Sequence, residues 1–144
     1  MKRLASACPL FGSKAAFSLV DRIRGVASDK EMVIRQTCAE QLGGYAKYLI
    51  ESTNDSKEAH ELIIKELLPL LKEMLRDAVE VRQAAATSLI FVAELLTKDE
   101  VCEHVLKIVL HMAHDDTDDQ KISALPVLST FFFFFSFCCA FCVC

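Results

Sequence analysis

Residues 61–96, ELIIKELLPLLKEMLRDAVEVRQAAATSLIFVAELL, constrain the fold more than any other stretch. From His60 to Arg76 apolar residues return every three or four positions, the period of a helix. Ile63, Leu67, Leu70 and Met74 make one row, and Ile64, Leu68, Leu71 and Leu75 make another beside it. A face that broad needs two neighbours to cover it. After Asp77 a second helix is predicted from about Val79 to Thr97, with Val81, Ala85, Leu89, Val92 and Leu96 as its core row. Its alanines favour helix and permit close helix approach. The same pattern stands 47 residues earlier, where Ile34-Arg35-Gln36-Thr37-Cys38-Ala39 matches Val81-Arg82-Gln83-Ala84-Ala85-Ala86. A fainter copy follows 39 residues later, with Lys121, Ala124 and Leu128 in place of Arg82, Ala85 and Leu89. A helical unit that recurs at this spacing buries its apolar side against the next unit, so the chain is expected to be an all-α stack.

The partner helices fit the same scheme. Ala16, Leu19, Ile23 and Val26 form an apolar row between Lys14 and Ser28, and Val101, Val105, Ile108 and Met112 form one between Asp99 and His114. Three helix pairs result, at about 13–50, 60–97 and 99–130, after a lead-in over 1–12 and before a tail over 131–144. Residues 51–59, ESTNDSKEA, read as a polar loop between the first two pairs. Pro69 is expected to bend its helix, since it lacks a backbone N–H. Gly43-Gly44 lies inside a helix, where it signals close packing or a kink.

A formal net charge of −4, with no run of lysines or arginines, argues against a nucleic-acid partner. The apolar patch from Leu4 to Phe11 is short and Lys14 interrupts its continuation, so no secretory leader is expected there. The seven cysteines then read as reduced thiols in a cytoplasmic or nuclear protein.

Residues that carry chemistry are scarce. No Ser-His-Asp order, Gly-rich phosphate loop or spaced cysteine pair is present outside the C-terminal tail, so neither catalysis nor a cofactor is expected. His104, His111 and His114, with Asp115, Asp116, Asp118 and Asp119 nearby, suggest a metal site at first reading. Yet Glu100, His104, Lys107, His111 and His114 share one stripe, the wet side of an amphipathic helix. Cys38 and Cys102 fall at apolar helix positions and are expected to be buried, structural thiols.

The chain carries no charge from Ile122 to Cys144, and residues 131–144 read FFFFFSFCCAFCVC. Twenty-three uncharged residues are long enough for a C-terminal membrane anchor. The four clustered cysteines suggest metal or palmitate, but the spacing C-C-x-x-C-x-C lacks the paired knuckles of a zinc site. Phe, Cys, Ser and Val also share thymine-rich codons, so the string matches a polypyrimidine tract read in frame at a mispredicted gene end.

The order LLPLLKEML, Asp77, Val81-Arg82 and then AAATSL resembles the HEAT repeat. VRQAAATSL followed by VLKIVLHMAHDDTDDQKISALPVLS resembles, within that family, regulatory subunits of serine/threonine phosphatases related to the phosphatase 2A scaffold. The resemblance covers about residues 13–129 and implies a right-handed α-solenoid of about three helix pairs. It implies a scaffold without catalysis, binding a phosphatase catalytic subunit or its substrates on a concave face lined by the second helices. It also implies a ladder between adjacent repeats, built from the turn aspartates and the arginines that follow: Asp29 with Arg35, Asp77 with Arg82, and Asp116 with Lys121. Lysine in the last rung lacks the guanidinium fork. Family members carry more repeats, so the chain resembles a fragment of a longer array.

Overall fold

The computed structural model describes residues 12–53 and 55–114, together with 121, 122, 125, 128 and 129. All regular structure among them is helical. Helix α1 (Gly12–Ala27) turns into α2 (Met32–Ser52). A third rod is made of α3 (Ser56–Leu62), a π-helical turn (Ile63–Leu67) and α4 (Leu68–Met74). Helix α5 (Val79–Leu95) follows. A fifth rod joins α6 (Lys98–Glu100), a second π-helical turn (Val101–Val105) and α7 (Leu106–Ala113). The five rods pack around one continuous apolar core.

Position by position, the recurrence seen in sequence is also a recurrence of burial. Along α2 and α5, Cys38 and Ala85, Leu42 and Leu89, Tyr45 and Val92, and Leu49 and Leu96 are buried pairs 47 residues apart. The first helix of each pair behaves alike, since Val20, Ile23 and Ala27 match Leu67, Leu70 and Met74, all buried. Thirty-eight residues after Ile63, Leu67, Leu71 and Met74 come Val101, Val105, Val109 and Met112, again all buried.

Among the described elements, α2 and α5 make the most extensive contact. Small residues make it close. A Cβ on Gly43 would stand 3.0 Å from the ring Cδ1 of Phe91 and 3.2 Å from its Cβ, so the glycine is there to let α5 approach and α2 runs on without a break. The Ser88 hydroxyl donates to the carbonyl of Ala39, which satisfies a buried side-chain oxygen across the same contact.

Two expectations change. The polar stretch 51–59 is mostly helix, because Asp55 caps α3 by accepting the Lys57 N–H at 2.9 Å and Ala59 is already in the core. Its polar residues are the wet side of a helix start. Pro69 follows a π-helical turn, in which the Leu68 N–H reaches back to the Ile63 carbonyl. A second such turn stands at Val101–Val105, where there is no proline. Finally, Cys102 is exposed whereas Cys38 is buried. On the fifth rod Val101, Val105, Val109 and Met112 face the core, and the row through Cys102 and Leu110 faces out.

The tail over 131–144 and Asp116 lie outside the described residues. Among the described residues, no helix is long and apolar enough to cross a membrane.

Candidate functional site

The turns at one end of the rods hold a network of charged side chains. Arg35 projects from the first turn of α2 and meets Asp77 with both arms of its fork, Nε to Oδ2 at 2.6 Å and Nη2 to Oδ1 at 2.8 Å. Its Nη1 donates to the carbonyls of Asp29 at 2.9 Å and Lys30 at 3.1 Å. A planar guanidinium can hold a carboxylate and two carbonyls at once, which lysine cannot. Both members are partly buried. Arg35's hydrogen bond holds the Asp77 carboxyl below the usual carboxylate range, against the opposing effect of burial. The Asp77 hydrogen bond in turn raises Arg35 above its ordinary value.

The residues of the expected ladder are thus brought together in a particular order. The side-chain pair is Arg35 with Asp77, joining the turn before α2 to the turn before α5. Asp29 meets Arg35 through its backbone carbonyl, while its carboxylate accepts the Glu31 N–H at 2.9 Å and braces the start of α2. Arg82 meets Asp77 in the same backbone fashion, Nη2 to O at 3.0 Å. Arg82 is 9 % exposed, and its Nε and Nη1 have no hydrogen-bond partner among the described residues. In Arg35 the Nε holds a carboxylate oxygen and the Nη1 two backbone carbonyls. Lys121 is helical, and the Asp116 it was paired with lies outside the described residues.

A second arrangement was legible only in part. Each second helix shows solvent a narrow stripe: Val33, Glu40, Lys47 and Glu51 on α2, and Glu80, Gln83, Thr87, Phe91 and Glu94 on α5. Val33 and Glu80, Glu40 and Thr87, and Lys47 and Glu94 are equivalent positions 47 apart, so the stripes belong to one face. A groove runs between them, lined by Gln36, Glu40, Glu80, Gln83, Ala84, Thr87 and Ser88. The face carries four glutamates against one lysine, and Lys47 lies 3.7 Å from Glu51. Val33 is 64 % exposed and Phe91 39 %, so apolar contact area is offered beside the charges.

The histidines act at the joint between the third and fifth rods. His60 Nδ1 lies 3.0 Å from Glu100 Oε2, and the Arg76 guanidinium lies 2.6 Å from His111 Nε2. His114 faces the carbonyl of Leu110 in its own helix. No group of three metal-ligating side chains is assembled among the described residues. Glu100 also closes a capping box: its carboxylate accepts the Thr97 N–H at 2.8 Å, and Thr97 Oγ1 accepts the Glu100 N–H. Burial raises the Glu100 carboxyl, but the Thr97 hydroxyl and N–H, together with His60, outweigh it and hold the group below its ordinary value. The spacing Thr97-x-x-Glu100 was the sequence signal for this cap. The cross-rod pairs had none.

No protein-family model and no curated protein sequence matches this chain.

Proposed function

We propose that the chain is a non-catalytic scaffold, a right-handed α-solenoid of HEAT-like helix pairs that binds another protein across the face shared by α2 and α5. The partner in this reading is the catalytic subunit of a serine/threonine phosphatase. It rests on the sequence resemblance to HEAT-repeat phosphatase regulators, among them regulatory subunit 1 of protein phosphatase 4. The observation that carries it is the equivalence of buried and exposed positions 47 residues apart. Identical roles at equivalent positions let successive pairs add to one continuous surface, which is how arrays of this kind make wide binding faces. The face itself suits recognition of protein. It has a half-exposed aromatic, exposed valines, and amides and carboxylates around a groove.

The test is direct binding of the full chain to purified phosphatase catalytic subunits of the 2A and 4 types, followed by biolayer interferometry. Saturable binding is expected, weakened at least tenfold by the double change Glu80→Lys and Phe91→Ala. Lys72→Glu, on the exposed side of α4, should leave it unchanged. Absence of binding to either subunit, or equal loss from the Lys72 variant, would refute the assignment.

A further inference from the structure

The groove between the stripes of α2 and α5 takes up about 340 Å³ and has a carboxylate on each wall, Glu40 from α2 and Glu80 from α5. Several carboxylates elsewhere have cations beside them: Glu61 has Lys65 at 2.7 Å, Glu51 has Lys47 at 3.7 Å, and Glu66 is held by Arg24. No ion pair to Glu40 or Glu80 is found among the described residues. Glu40 instead accepts the Gln36 amide at 3.2 Å. The exposed side of the third rod differs in kind, because there Lys65, Lys72 and Arg76 stand among Glu61 and Glu73. Negative charge is thus gathered on one face, without counter-charge, in a concave place that concentrates its field.

Shape adds a second observation, independent of charge. Phe91 stands on α5 one turn beyond Thr87 of the groove wall. Its ring rests against Gly43, where a Cβ would come within 3.0 Å of it, so its place is fixed while 39 % of the residue stays exposed. A fixed aromatic open to solvent is the kind of anchor on which protein interfaces concentrate their energy. The bond from Ser88 to the Ala39 carbonyl sets Glu40 beside the Thr87–Ser88 level of α5. At about 1.5 Å per residue that level is roughly 10–12 Å past Glu80. An extended chain covers the distance in about three or four residues at ~3.3 Å each.

We propose that this groove seats an extended segment of the bound protein carrying two arginines or lysines three or four residues apart, with an apolar residue beyond them on Phe91. The inference rests on the reading of the α2–α5 face as the binding face, and it names what that face recognises. Long basic side chains suit the groove because their apolar stems lie along Ala84 while their charged ends reach the two carboxylates. Arginine adds two parallel N–H donors for each carboxylate. An acidic segment or a nucleic acid would be repelled there.

Fluorescence anisotropy with the full chain tests it. The probe is a fluorescein-labelled peptide, Gly-Arg-Ala-Ala-Arg-Ala-Leu-Gly, compared with one peptide that has citrulline for both arginines and one that has alanine for leucine. Saturable binding of the parent peptide is expected. It should be at least tenfold weaker, equal to about 1.4 kcal/mol, for the citrulline peptide and for the Glu40→Gln, Glu80→Gln double variant of the chain. Phe91→Ala should weaken the parent peptide and leave the alanine peptide unaffected. Glu73→Gln, at an exposed position of α4, should bind as the parent chain does. A parent peptide that fails to bind would overturn the inference, as would equal binding by the double variant or by the citrulline peptide. The two readings fail separately. Peptide binding without binding of either phosphatase subunit upholds the groove and refutes the phosphatase assignment, whereas binding of a subunit without the peptide refutes the groove alone.

Discussion

Leu42 and Leu89 occupy equivalent places in α2 and α5 and are 1 % and 0 % exposed. By burial alone the two changes to alanine should cost the same. Their surroundings say otherwise. Removing three carbons forfeits about 2.4 kcal/mol at ~0.8 kcal/mol per methylene. At Leu89 the neighbouring rods cannot collapse fully, and a residual void of roughly 50 Å³ adds about 1.2 kcal/mol at ~24 cal/mol per Å³. Leu89→Ala should therefore cost about 3.5 kcal/mol. Leu42 borders an apolar hollow of about 220 Å³ between α1 and α2, so the void left by its truncation opens into space already present. Leu42→Ala should cost only about 2.4 kcal/mol, the transfer loss alone, since the cavity contribution shrinks there. The gap of about 1.2 kcal/mol corresponds to a difference in Tm of roughly 3–5 °C for a chain of this size. Urea unfolding followed by far-ultraviolet circular dichroism measures it, with matching m-values required for the comparison. A Leu42 variant as damaged as the Leu89 variant would mean that the space beside Leu42 is filled in solution. That result would refute the reasoning.

Other expectations follow from the charged turns and the thiols. Asp77 and Glu100 both have lowered carboxyl values in the fold, so their contribution is present above the unfolded carboxylate range and lost as pH falls through the folded values. Asp77→Asn should thus destabilise the chain at neutral pH and flatten the fall in stability below about pH 4, read by urea midpoints across a pH series; an unchanged acid limb would count against the Arg35 pairing. Thr97→Ala breaks the capping box before α6 and should cost about 1 kcal/mol, with the loss seen as faster amide exchange over 98–105. Burial pushes the Cys38 thiol up to about 11, and Cys102 is exposed. Under native conditions a maleimide should therefore modify Cys102 well before Cys38, as mapped by peptide mass spectrometry; Cys38 reacting first would show that α1 does not cover α2 as described.

The sequence by itself determined the helices and much of what they bury. Period alone identified the core rows Val81, Ala85, Leu89, Val92 and Leu96, and Ile63, Leu67, Leu70 and Met74, because an apolar stripe at helical spacing has one energetically sensible place to go. The copy at 47 residues carried the correspondence of α2 with α5. The resemblance to the HEAT repeat pointed to the turn residues Asp29, Arg35, Asp77 and Arg82. Which of them touch was decided by the tertiary structure. Arg35 reaches Asp77, 42 residues away, because packing α2 on α5 sets one turn beside the next, and no local spacing encodes that. Packing also chose between the two readings of Gly43, as Phe91 fills the space a side chain would need. It exposed Cys102 too, by turning one row of an almost wholly apolar helix outward. Local periodicity fixes which side of a rod is greasy. Only the arrangement of neighbouring rods fixes how much of that side is covered, and by what.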